Sequence, residues 1–149
     1  MNIGFVCSGN TCRSPMAEAI FKEKIKDFRQ FCSVASFGIN AMTGDTANEK
    51  AVEVLKEKFN IDLSSHRARI VSNYVIDLCD YLICMDDNNM RNIKWIIPSD
   101  PQNKIHKLMK FAGSDASVAD PWYTGDFEIT YKDIVRGCEG LIEFLESQG

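Results

Sequence analysis

Basic clusters, long apolar runs and histidines are what this sequence of 149 residues has least of. Its 17 lysines and arginines are scattered among 21 aspartates and glutamates, for a net charge of -4. A chain without a concentrated positive stripe is poorly suited to neutralising nucleic-acid phosphates, so nucleic acid is not an expected partner. The longest apolar runs, "YLICM" and "WII", fall far short of the ~20 residues that a membrane-crossing helix needs. No basic stretch followed by an apolar one opens the chain, so neither a secretory signal nor a membrane partner is expected. Repeats, linkers and low-complexity tracts are also missing, and the length suits a single domain spanning residues 1–149. With only His66 and His106 present, a cysteine hydrolase that relies on a histidine base has few candidates, and neither can be placed beside a given cysteine from sequence.

Cysteine, by contrast, is present six times, as Cys7, Cys12, Cys32, Cys79, Cys84 and Cys138. An even count can signal disulfides in a small secreted scaffold. In a chain of this size without a signal, the reducing cytoplasm is the better expectation, with free thiols, some of them reactive.

Strand-like and helix-like stretches alternate. "NIGFVC" reads as a first strand and "CSVASF" as a second. Between them, Pro15 sits where a first-turn proline is tolerated, and Ala17, Ile20, Phe21, Ile25 and Phe28 follow at helical spacing. "DTANEKAVEVLKEKF" reads as a helix capped by Asp45 or Thr46, with Ala47, Ala51, Val54 and Leu55 on one face. "SNYVIDLC" suggests a short helix. "YLICM" is the continuous apolar run of a strand covered on both faces. Asp86 or Asp87 would cap a helix carrying Met90, Ile93 and Ile97. "PSDPQN" is a turn, "KIHKL" a weak fourth strand and "GSDASVADPW" a polar loop. A last helix, "FEITYKDIVRGCEGLIEFLES", packs a stripe of Phe127, Tyr131, Ile134, Cys138, Leu141 and Leu145. This order predicts an α/β fold with three layers, a central four-stranded parallel sheet and helices on both faces. Ligands of such sheets bind beyond the carboxyl ends of the strands.

The first strand ends in "VCSGNTCRSPMAE", at one of those carboxyl ends. Several chemistries compete for it. Gly4, Gly9 and Thr11 nearly match a nucleotide-binding G-x-x-x-x-G-K-[ST], but Asn10 holds the lysine position and supplies no charge for the phosphates. Cys7 with Cys12, and Cys79 with Cys84, are spaced as zinc ligands can be, yet Cys84 lies inside an apolar strand and the pairs would have to converge. The third reading is C-x5-R used on phosphate. Five residues, Ser8, Gly9, Asn10, Thr11 and Cys12, can curl around one tetrahedral anion with their N–H groups turned inward. A helix starting near Ser14 or Pro15 aims its positive end at the same point. Arg13 adds a planar fork that matches two phosphate oxygens. All of this also favours a thiolate on Cys7, poised as a nucleophile beneath the bound phosphoryl group. Ser14 could donate a hydroxyl hydrogen bond to that sulfur as it leaves. Gly9 would allow a close backbone approach or a positive φ.

These residues resemble the opening of the low-molecular-weight protein tyrosine phosphatases. The likeness continues through "SFG" at residues 36–38, "SSHRAR" around His66, "ICMDDNN" around Asp86 and "DPWY" at residues 120–123. It implies the fold of that family, which is of the flavodoxin type. It also implies hydrolysis of phosphotyrosine in a protein substrate, a tyrosine kinase among the candidates, through a phosphocysteine on Cys7. Phosphate or another oxyanion would sit in the loop, with no metal and no cofactor. Asp120 would be the general acid, Asn10, Ser36 and His66 would support the loop, and Trp122 and Tyr123 would flank the substrate ring. Asp86 is left between a capping role and a role at the site. Two departures stand out. The aromatic that the family often carries after its "SAG" is missing from "SFGINAMTGD", which leaves Met42 as the expected cleft wall. Thr11 replaces an aliphatic residue and resembles the related protein arginine phosphatases. Arsenate reduction is a weaker alternative: it needs two further cysteines seven positions apart, and Arg91 stands seven positions after Cys84. A phosphate-binding module without catalysis is another, against which Cys7, Arg13 and Asp120 stand together. Cys12 could capture an oxidised Cys7 as a disulfide or simply pack beneath the loop.

Overall fold

The structure, a computed structural model, describes residues 1–28 and 32–148. The last position of the expected domain, Gly149, therefore lies outside the described residues. Strands β1 (Asn2–Cys7), β2 (Ser33–Gly38), β3 (Tyr81–Cys84) and β4 (Ile105–Lys107) form one parallel sheet in the order β2-β1-β3-β4. Helices α1 (Arg13–Lys24), α2 (Glu49–Phe59), α3 (Val75–Leu78), α4 (Asp87–Ile96), α5 (Pro121–Thr124) and α6 (Phe127–Gln148) connect and cover it.

Strand alternation divides the core in two. Ile3, Phe5 and Cys7 of β1 point into a cluster with α1, α2 and α6, where the rings of Phe5 and Phe21 meet edge to face at 5.6 Å. Val6 points the other way, with Leu82 and Cys84 of β3, into a cluster with Val75 and Ile76 of α3 and Ile93 of α4. The predicted three-layer α/β architecture is therefore the observed one. Cys7 and Cys84 face opposite layers, which separates the two cysteine pairs considered above as zinc ligands.

Several boundaries differ from the sequence reading. Neither Asp45 nor Thr46 caps α2. Asn48 does, its side chain accepting from the N–H groups of Lys50 and Ala51, so Ala47 stands outside the helix. Asp86 rather than Asp87 caps α4, in a reciprocal capping box with Asn89 worth about 1 kcal/mol. Helix α1 stops at Lys24, short of Phe28. After β4 the chain tightens into a 3₁₀ turn (Leu108–Ala112) that the apolar pattern did not reveal. That turn lies against α6 at Gly137 and Gly140. A Cβ on Gly137 would collide with the Leu108 side chain, and one on Gly140 with the backbone carbonyl of Phe111. Glycine costs a helix interior about 1 kcal/mol relative to alanine, so its presence twice here reflects that close approach.

Among the described residues, no helix is long and apolar enough to cross a membrane.

Candidate active site

Cys7 is the last residue of β1 and Arg13 the first of α1, so residues 8–12 must reverse direction within a few ångströms. The left-handed step of that turn is taken by Asn10, at φ 54°. Gly9, expected to supply it, has no positive φ, and a Cβ there would meet Thr11 Oγ1 only at 3.6 Å. The tight approach falls instead on Gly38, where a Cβ would come within 2.8 Å of the Asn10 nitrogen and the Ser8 oxygen. The "SFG" stretch thus provides the floor on which the loop rests.

Asparagine tolerates the left-handed region better than most residues, and this one is tied down on every side. Asn10 is fully buried, and its amide Nδ2 donates to Ser14 Oγ at 2.8 Å and Ser36 Oγ at 2.9 Å. Its Oδ1 accepts from the Arg69 N–H at 2.8 Å, and its carbonyl lies 2.7 Å from His66 Nε2. Ser36 in turn donates to Glu18 at 2.6 Å. Ser36 and His66 therefore both bond to Asn10 from outside the loop. Glu18 and the Arg69 backbone complete the network and were missed. Glu18 stands in the "MAE" of the opening motif, outside the apolar positions by which that helix is read. Among the described residues, no buried side-chain nitrogen or oxygen is left without a hydrogen-bond partner.

The Cys7 sulfur lies 2.9 Å from Ser14 Oγ and accepts from the Asn10 N–H at 3.3 Å. The Asn10 N–H thus points at the position where a thiolate would carry its charge, the Ser14 hydroxyl is close enough to donate to it as well, and α1 begins six residues on. Arg13 is 4% exposed. Its Nη1 pairs with Asp86 at 2.7 Å and reaches the Val118 carbonyl at 3.3 Å, while its Nη2 lies 3.3 Å from Asp120. Burial opposes the guanidinium charge, but the hydrogen bond and charge of Asp86 outweigh it and raise the Arg13 pKa. Asp86 therefore does two things: one oxygen caps α4 and the other orients Arg13.

Asp120 caps the short helix α5, accepting from the Trp122 N–H at 3.0 Å, with Pro121 in the first helical position. It overlooks a cavity of about 360 Å³ whose floor is the loop, including Cys7, Ser8, Gly9, Thr11, Cys12 and Arg13. The walls are Asn48, Asp120, Pro121, Trp122 and Phe127. Met42, expected as a wall, is 70% exposed and does not line it. A turn closed by the Asp45 N–H on the Met42 carbonyl precedes Asn48, and Asn48 is what reaches the cleft. Tyr123 is also outside the cavity, bordering a neighbouring groove with Arg91 and Ser117. Successive residues of a short helix point about 100° apart, so Trp122 and Tyr123 cannot both face the same ring. Phe127, read from sequence as the start of a core stripe, takes the second aromatic place.

All six cysteines are free. Burial, followed by the nearby Cys7 charge, pushes Cys12 up to about 12, and burial pushes Cys79 to about 11 and Cys138 to about 12. At neutral pH Cys12 therefore stays a thiol. Iodoacetate at neutral pH is accordingly expected to label Cys7 ahead of Cys12, and inorganic phosphate to protect it. Peptide mapping after partial inactivation checks this, and first labelling at Cys12 would reverse the roles.

Comparison with known proteins agrees with this geometry over the whole chain. Residues 2–149 match the family described as low molecular weight phosphotyrosine protein phosphatase. The low molecular weight protein-tyrosine-phosphatase PtpA of Staphylococcus aureus (strain MRSA252) is 35% identical, covering 97% of this chain and 94% of its own. Among solved structures, YfkJ from Bacillus subtilis superimposes with a TM-score of 0.92 at 35% identity, covering 99% of this chain and 96% of its own. The YwlE arginine phosphatase, solved as a mutant with a phosphorylated active-site serine, gives 0.87 at 31% identity over 98% and 96% of the two chains. With a cysteine held by a serine and a backbone amide, a buried arginine six residues on and a family match over residues 2–149, the chain belongs to the low molecular weight phosphotyrosine protein phosphatase family, whose members are phosphoric monoester hydrolases.

Proposed function

We propose that residues 1–149 act as one catalytic domain that hydrolyses phosphotyrosine in protein substrates, a tyrosine kinase among them, in the cytoplasm. The observation that carries this reading is the convergence of Cys7, Arg13 and Asp120 on one cavity lined by Trp122 and Phe127. A phosphate monoester entering it meets the loop N–H groups, the positive end of α1 and the Arg13 fork. The Cys7 sulfur attacks phosphorus as the bond to the phenolic oxygen breaks, and Asp120 gives that oxygen its proton. Arg13 and the loop hold the equatorial oxygens while charge redistributes. Water then attacks the phosphocysteine, its proton passing to the Asp120 carboxylate. Phosphate leaves and the Cys7 thiolate, steadied by Ser14, returns. No step calls for a metal or cofactor.

Phosphoarginine is the second reading. Thr11 and Asn48 add polar surface to the cavity, and the arginine phosphatase YwlE is among the similar structures. Trp122 and Phe127 keep phosphotyrosine ahead, because aromatic contacts are worth about 0.5–1.5 kcal/mol each. Peptides carrying phosphotyrosine, phosphoarginine and phosphoserine should therefore rank in that order in kcat/KM. Phosphoserine comes last because its short side chain cannot carry phosphorus to the sulfur. Thr11→Ile should depress only the phosphoarginine rate. A wild-type preference for phosphoarginine would replace the substrate while leaving the loop chemistry in place.

A further inference from the structure

We infer that Thr130 and Asp133, on the first turns of α6, are positioning residues for the acid step; this rests on Asp120 being the general acid. Both polar groups of Ala119, the residue immediately before Asp120, are held by α6. The Ala119 N–H donates to Asp133 Oδ2 at 3.0 Å, and the Ala119 carbonyl accepts from Thr130 Oγ1 at 2.8 Å. That carbonyl belongs to the peptide bond leading into Asp120, so fixing it fixes the plane from which the carboxyl side chain is aimed. Thr130 is fully buried. A helical threonine commonly turns its hydroxyl back to its own helix, and here the Asp126 carbonyl is available at 3.4 Å. The shorter bond goes out of the helix, to the acid loop. Threonine and aspartate are both mediocre helix formers, so propensity does not account for them at these positions. Phe127, three residues before Thr130 on the same side of the helix, lines the cavity. One stripe of α6 therefore supplies both a wall for the substrate and the bonds that hold the acid.

The acid also has a competing attraction. Asp120 Oδ2 lies 3.3 Å from Arg13 Nη2. With the main chain fixed at Ala119, moving between that guanidinium and a leaving oxygen requires only side-chain rotation. Without those bonds, the loop can follow the carboxylate toward Arg13, and a misplacement of about 1 Å is enough to cost ~10²-fold in rate.

The test uses the full chain and a series of aryl phosphates with increasingly basic leaving groups. Thr130→Val and Asp133→Ala should lose less than about twofold in kcat/KM for the most activated ester and about 10–100-fold for the least activated. Inhibition by inorganic phosphate should be unchanged. Thr130→Ser and Asp133→Asn, which can remake the bonds, should recover the parent profile. On an Asp120→Asn background, Thr130→Val and Asp133→Ala should add no further loss. Equal losses across the series, or losses that persist with Asp120→Asn, would show that these residues merely stabilise the fold. If Thr130→Val does not fold, the half-buried Asp133 carries the test alone. A flat profile for Asp120→Asn itself would remove Asp120 as the acid, and the inference with it. A steep profile for Asp120→Asn but flat ones for the α6 variants would overturn the inference alone.

Discussion

Cys7→Ser is expected to abolish turnover, with kcat falling at least ~10⁴-fold, while inorganic phosphate still binds. The anion contacts come from the loop backbone and Arg13, and serine fits the space of a side chain whose neighbours are Ser14 Oγ and the Asn10 N–H. A hydroxyl at this position is held by the same donors but is far less ionised than a thiol, and its oxygen is a poor leaving group. Any phosphoryl group that does transfer should therefore stay attached. Intact-protein mass spectrometry after incubation with an aryl phosphate should show either unmodified chain or a single added phosphoryl group, never rapid turnover. Near-parental activity would take the nucleophile's role away from Cys7.

The second large effect is expected of Arg13→Lys. Formal charge is preserved, yet kcat/KM should fall by about 10³-fold, because a lysine cannot span the arginine's contacts. Arg13 Nη1 holds Asp86 and the Val118 carbonyl, while Nη2 faces Asp120. An ammonium on a flexible stem can satisfy Asp86 or a phosphate oxygen, but not both in a fixed plane. Phosphate affinity should weaken along with the rate. Steady-state kinetics and competition by inorganic phosphate measure the two, and a loss below about tenfold in kcat/KM would mean that the bidentate geometry is dispensable.

The chemistry of the site was legible because it is local. Cys7, the loop and Arg13 lie within seven consecutive residues, and the strand before and helix after them follow from hydrophobic spacing and Pro15. The sheet was legible for a similar reason, since "NIGFVC", "CSVASF" and "YLICM" each carry the β-rich apolar signature. What escaped were features decided by neighbours distant in sequence. Asn10 rather than Gly9 takes the left-handed step because Ser36, Arg69 and His66 hold its side chain and carbonyl there. Met42 and Tyr123 looked suited to the cleft by residue type. A turn before α2 and the 100° step between neighbours in α5 gave those places to Asn48 and Phe127. Asp86 looked like either a cap or a site residue, and its two oxygens let it be both.

The glycine seats on α6 bear on how a substrate gets in. At Gly137 and Gly140 the helix touches the 3₁₀ turn with no room for a methyl group, and seven residues further along from that turn lies Ala119, bonded to Thr130 and Asp133 of the same helix. The loop before Asp120 also donates the Val118 N–H to the Met85 carbonyl just beyond β3. Turn, loop and helix thus form a braced triangle, and swinging Asp120 away would mean breaking both Ala119 bonds to α6 and the Val118 bond to Met85. Catalysis here is not expected to wait for a flap. Admission falls to side chains at the rim, with Trp122 88% exposed, and exposed side chains reorient in picoseconds to nanoseconds rather than the microseconds to milliseconds of a closing loop. The gate expected of this enzyme is therefore a rotamer, working beside a jaw that stays still.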